Sequence, residues 1–117
     1  MQDVQKARIE GLWLGRWESD TTGHRGSLRC RLVHLAGRHF RAEFRARYWI
    51  IFPFGRDIRI TFRPEGEIFR CTGTEDLGKW GGGNYQYSGT LSDRIFEAIF
   101  ASQKYRGNFR LERGPER

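Results

Sequence analysis

What this chain has little of narrows it first. It holds only two cysteines and three prolines. Cys30 and Cys71 both fall on faces expected to point inward. They therefore read as two buried thiols rather than a disulfide, which would need their strands to be neighbours. No apolar run is long. The longest, Tyr48 to Phe54, is far too short to span a membrane. The first ten residues carry acids and lack an apolar core, so they do not read as a secretory signal. The expectation is a cytoplasmic protein with no membrane partner. No run of five like charges marks a polyelectrolyte tail. The three histidines, His24, His34 and His39, lack His-x-His or His-x-x-x-His spacing, so no metal and no cofactor is expected. His34 and His39 flank one expected hairpin and could approach each other, but a third ligand is missing.

What is present is aromatic, glycine-rich and basic. A chain of 117 residues is one domain by length and can bury a core unaided. Aromatics make up 15%, enough bulk to fill an interior and to argue against disorder. Fifteen glycines suit tight turns and close strand contacts. The formal charge is +7, carried almost wholly by arginine. Such a surface can attract nucleic acid or another anionic partner. It also has a plain explanation, because the arginines alternate with Asp and Glu and solvate the outward strand faces.

The stretch from Phe40 to Tyr48 sets the pattern. Phe40, Ala42, Phe44, Ala46 and Tyr48 fall on one face, and Arg41, Glu43, Arg45 and Arg47 on the other. Period two means a strand with one dry face. Weaker copies recur along the chain. After a short helical or frayed lead-in (1–10), a first strand from Gly11 places Trp13, Gly15 and Trp17 together. Gly15 there makes room for a bulky side chain or marks a bend. Further strands are expected over Ser27–Leu35, Phe40–Ile51, Arg56–Arg63, Glu67–Gly73, Tyr85–Leu91, Ile95–Ser102 and Asn108–Arg113. Pro64-Glu65-Gly66 reads as a tight turn, and residues 114–117 as a tail. About eight strands with short connections and no helical layer must close on themselves. The expected fold is all-β: a single antiparallel up-and-down barrel spanning the chain, with a β-sandwich as the alternative.

Gly11-x-Trp13-x-Gly15 on the first strand, with an arginine on the last, resembles the opening of calycin-like barrels: the lipocalin, avidin and nitrobindin-like plan. The resemblance implies a Trp near the barrel base covered by a late-strand Arg, here Trp13 and Arg113, as a clasp between first and last strands. Haem binding does not carry over, since no match to the haem-ligand region of nitrobindins is found. The segment from Glu75 to Tyr87 resembles small bacterial proteins, which implies no activity.

Several stretches invite chemistry and lose it on inspection. Gly78-Lys79-Trp80-Gly81-Gly82-Gly83 lacks the Ser or Thr and the following helix of a phosphate loop. It reads as a hairpin loop, or as a flap with Trp80 at its tip. Glu75 and Asp76 are adjacent in a strand and would face opposite ways, so Asp76 reads as a turn stabiliser. Ser27, Ser88 and Ser102 have no nucleophile context, and no enzyme is expected. The numerous inward rings either fill the barrel or line a site for a small hydrophobic or aromatic ligand. In the second case Tyr48, Tyr85 and Tyr87 line it and Trp80 covers it. Trp49, Ile51, Phe52 and Phe54 would form an exposed apolar patch, a candidate homodimer interface. An anionic partner such as single-stranded nucleic acid remains the other reading, with Arg41, Arg45, Arg47, Arg59 and Arg70 gathered on one outer face beside Trp49.

Overall fold

The computed structural model describes residues 3–46, 57–76 and 83–115. A helix, α1 (Asp3–Ile9), precedes eight strands: β1 (Gly11–Ser19), β2 (Arg25–Ala36), β3 (His39–Ala46), β4 (Asp57–Glu65), β5 (Ile68–Asp76), β6 (Asn84–Leu91), β7 (Ile95–Ala101) and β8 (Arg106–Arg113). Each strand pairs antiparallel with the next, and β8 returns to β1. The result is a closed up-and-down barrel rather than a sandwich. Closure removes every sheet edge, which suits a chain with no covering layer.

Alternation places the core. On β2, Leu28, Cys30 and Leu32 are buried while Arg29 and Arg31 are exposed. The same holds for Phe40, Ala42 and Phe44 on β3 and for Phe96, Ala98 and Phe100 on β7. Rings meet edge to face across the interior. Trp13 and Phe96 lie 5.9 Å apart, Phe96 and Phe109 5.1 Å, Phe109 and Phe44 5.3 Å, and Phe40 and Phe62 5.3 Å. Aromatic pairs in this geometry add about 0.5–1.5 kcal/mol each beyond their burial. Cys30 and Cys71 are free thiols in this core.

Gly15 marks a bend. A Cβ there would lie 2.1 Å from the Arg110 carbonyl oxygen and 2.8 Å from the Leu111 Cα. Gly89 is equivalent against β7, with a built Cβ 2.1 Å from the Glu97 oxygen. At these positions a strand leans onto its neighbour's backbone, as a small barrel must to coil shut.

Strand ends differ from the sequence reading in a few places. Pro64 and Glu65 belong to β4, paired with Phe69 and Ile68, and the turn is Gly66-Glu67. Proline is tolerated because the β3–β4 ladder stops at His39 and Thr61, so β3 asks no hydrogen bond of Pro64. β5 runs on past Gly73 to Asp76, and β8 begins at Arg106. Ser92 and Ser102 build matching turns. Each hydroxyl accepts from the backbone N–H groups two and three residues on. Gly114 is tied to β1 by its N–H to the Leu12 oxygen, 2.7 Å.

Candidate functional site

The two ends of the barrel are built differently. At the lower end, α1 lies across the strand ends. A helix of seven residues does not hold itself together in water, so its contacts hold it. Ile9 is fully buried, and its carbonyl accepts from Trp13 Nε1 at 3.0 Å. Arg8 bonds Asp93 Oδ1 and the Glu67 carbonyl, both at 2.9 Å, and covers the Phe69 ring. Glu10 Oε2 accepts from the His34 N–H at 3.0 Å. The helix is thereby joined to the β4–β5 turn, the β6–β7 turn and the end of β2.

Arg113 completes this seal. Its guanidinium carbon lies 4.2 Å from the Trp13 ring centre. Nη1 donates to the Glu10 carbonyl at 2.7 Å, and Nη2 to the Arg8 carbonyl. The last carbonyls of a helix lack partners within it, and here a cation supplies them. Trp13 and Arg113 are also direct partners in the β1–β8 register.

The upper end is where aromatic residues with polar tips gather. Tyr85 is fully buried and Tyr87 nearly so, their rings stacked at 6.5 Å and 19°. Phe100 lies 6.4 Å from Tyr85, and Trp17 is buried on β1 at the same end. The Trp17 indole nitrogen and both tyrosine hydroxyls are shut off from solvent. Among the described residues no hydrogen bond of ordinary geometry reaches the Tyr85 hydroxyl. Burial pushes the Tyr85 phenol up. The nearby Ser102 hydroxyl partly offsets that, and the Tyr105 phenol adds to it. Ala46, the last residue of β3 and the register partner of Leu28, is partly buried against the core at this end of the barrel.

Tyr85 and Tyr87, singled out from the sequence, thus share one face at one end. Trp17 and Phe100 join them and were not singled out. Counting antiparallel register from Trp17 would have placed it at that end. Tyr48, Trp49, Ile51, Phe52, Phe54 and Trp80 lie outside the described residues, as do the side chains of Glu75 and Asp76. His34 and His39 do not converge. His34 sits 5.0 Å from the Phe40 ring and bonds the Gly37 carbonyl, while His39 Nδ1 meets Thr61 Oγ1 at 3.0 Å. His34 is the register partner of Phe40, so alternation along β3 sets it on the face opposite His39. No group of three or more His, Cys, Asp or Glu able to hold a metal occurs among the described residues. No helix among them is long and apolar enough to cross a membrane.

No protein-family model, no curated protein and no solved structure matches this chain.

Proposed function

We propose that this protein is a non-enzymatic barrel of the calycin-like plan that takes a small hydrophobic or aromatic ligand at the end opposite α1. The observation that carries this reading is the asymmetry of the two ends. The lower end is sealed by α1 and the Arg113–Trp13 stack, and its rings pack against one another. At the upper end Trp17, Tyr85 and Tyr87 bring three polar atoms into an apolar interior. Apolar walls with a few placed polar groups are the usual make-up of a small-molecule site. The clasp between first and last strands supports the kinship with calycin-like barrels.

Titration with 1-anilinonaphthalene-8-sulfonate, followed by its fluorescence, tests the placement. The reading expects saturable binding of one probe per chain. It also expects loss of that binding in Ala46→Phe, which fills the upper interior, and its retention in Arg113→Lys at the other end. Unchanged binding in Ala46→Phe would put the probe elsewhere and remove the reading.

A further inference from the structure

The barrel is two-sided in charge. On the outer wall of β2, β3 and β4, register sets Arg29 beside Arg45, Arg31 beside Glu43, Glu43 beside Asp57, and Arg41 beside Arg59. In these pairs five arginines meet two acids. Arg41 bonds Glu43 at 3.0 Å and Arg45 reaches Asp57 at 3.3 Å. Arg29, Arg31 and Arg59 are exposed and form no ion pair among the described residues. The far wall is different. There Thr72 faces Ser88, Thr74 faces Gln86 and Ser88 faces Ile99, and the flanking Arg70 and Glu97 each face the uncharged Thr90.

Solvation alone does not account for this. Like charges directly opposite each other on a sheet are destabilising, and a solvating face does as well with mixed signs. Arg63 and Arg70 also face each other, yet Arg70 is compensated there by two bonds to Glu65 Oε1, at 3.0 and 2.8 Å. Arg29 and Arg59 have no such compensation. The fork of an arginine fits a phosphate with two parallel hydrogen bonds. Arginines two residues apart on a strand stand about 6.7 Å apart, comparable to the step between phosphates of an extended single strand. At its edge the wall passes into a shallow groove of about 490 Å³, where His39, Arg59, Thr61 and Thr72 offer donors for sugar and phosphate oxygens. The wall is convex. A rigid duplex would touch it along one line, whereas a flexible strand can follow it.

We infer that the β2–β4 wall binds the phosphate backbone of single-stranded nucleic acid, with Arg29, Arg31 and Arg59 as the contacting cations. The surface lies outside the barrel and is independent of the interior site.

The test is fluorescence anisotropy of a fluorescein-labelled, mixed-sequence 15-nucleotide single strand across a range of salt concentrations. Three proteins are compared: the unaltered chain, Arg29→Gln/Arg31→Gln/Arg59→Gln, and the charge-matched control Arg94→Gln/Arg106→Gln/Arg110→Gln, whose residues lie off this wall. Each phosphate contact on a single strand contributes about −0.7 to the slope of log K against log salt. The wall triple is expected to flatten that slope by about two and to weaken binding at least tenfold at about 0.1 M salt. The control is expected to keep the slope. Equal losses in both triples would reduce the effect to net charge and overturn the inference. So would tighter binding of the matching duplex, or binding to phosphatidylserine vesicles with none to the oligonucleotide.

Discussion

The guanidinium of Arg113 stacks 4.2 Å from the centre of the Trp13 ring while bonding the carbonyls of Glu10 and Arg8. One side chain therefore ties the last strand to the first strand and to the helix that closes the lower end. A charged hydrogen bond contributes about 1.5–3 kcal/mol and a cation over a ring about 0.5–2 kcal/mol. Arg113→Met keeps the bulk and loses both. It is expected to lower stability by about 2–3 kcal/mol in urea denaturation followed by tryptophan fluorescence. Arg113→Lys keeps a cation over the ring but not the planar fork, so its loss is expected to fall between Met and Arg. A Met variant as stable as the unaltered chain would mean that the stack holds nothing together.

Backbone proximity predicts which glycines cannot change. Gly89→Ala puts a methyl 2.1 Å from the Glu97 oxygen and 2.5 Å from the Ala98 Cα. Neither is a flexible side chain that can swing away. The substitution is expected to cost more than about 3 kcal/mol or to prevent folding, since it forces two paired strands apart. Gly23 has open space around it, with φ at 78°. Asparagine tolerates that conformation, so Gly23→Asn is expected to stay within about 1 kcal/mol. Circular dichroism of the purified variants with urea titration separates the two cases. A well-folded Gly89→Ala protein would contradict the strand packing described.

The buried thiols give a pH prediction with a definite sign. Burial pushes the Cys71 thiol from its ordinary 9.0 up to about 12, and drives that of Cys30 up as well. The thiol is neutral when protonated, so the folded state resists losing the proton. Its contribution to stability is complete below about pH 9 and is lost as pH rises from 9 towards 12. At pH 8 both thiols are expected to resist iodoacetamide in the folded protein and to react fully in urea. Rapid alkylation of the folded chain would place at least one thiol outside the core.

Tyr85 offers a spectroscopic counterpart. Its phenol is expected to ionise later than a free tyrosine, because burial raises it. Ultraviolet titration of the folded protein should show a late phase that disappears in Tyr85→Phe. If that variant removes an early phase instead, the ring is wetter than its burial implies.

Much of the barrel was legible because alternation survives in nearly every strand. Leu28-Cys30-Leu32 and Phe40-Ala42-Phe44 need no tertiary information to assign a face. The local preference of Pro64 points to a turn, and only the early end of β3 pairing explains its place in β4. Alternation alone does not give the role of Gly15, because the contact that requires glycine is with the backbone of Arg110 and Leu111 on the last strand. The seal is harder to see in sequence, since α1 depends on contacts with residues as distant as Asp93 and Arg113. The division of charge between walls is likewise invisible in a linear count. It arises from arginine-bearing β2, β3 and β4 lying side by side, with β6, which has no charged residue, on the other wall. Arg70, grouped by sequence with the wall arginines, pairs instead with Glu65 and faces Arg63 on the β4–β5 hairpin.

The most direct test of the central claim is native mass spectrometry of the protein purified from its source cells without denaturation. The account predicts one reproducible added mass of small-molecule size per chain. That mass should be lost on denaturation and be absent from Ala46→Phe prepared in the same way. A clean chain mass in repeated preparations, for both the unaltered protein and the variant, would contradict the ligand-binding reading and leave a barrel filled by its own rings.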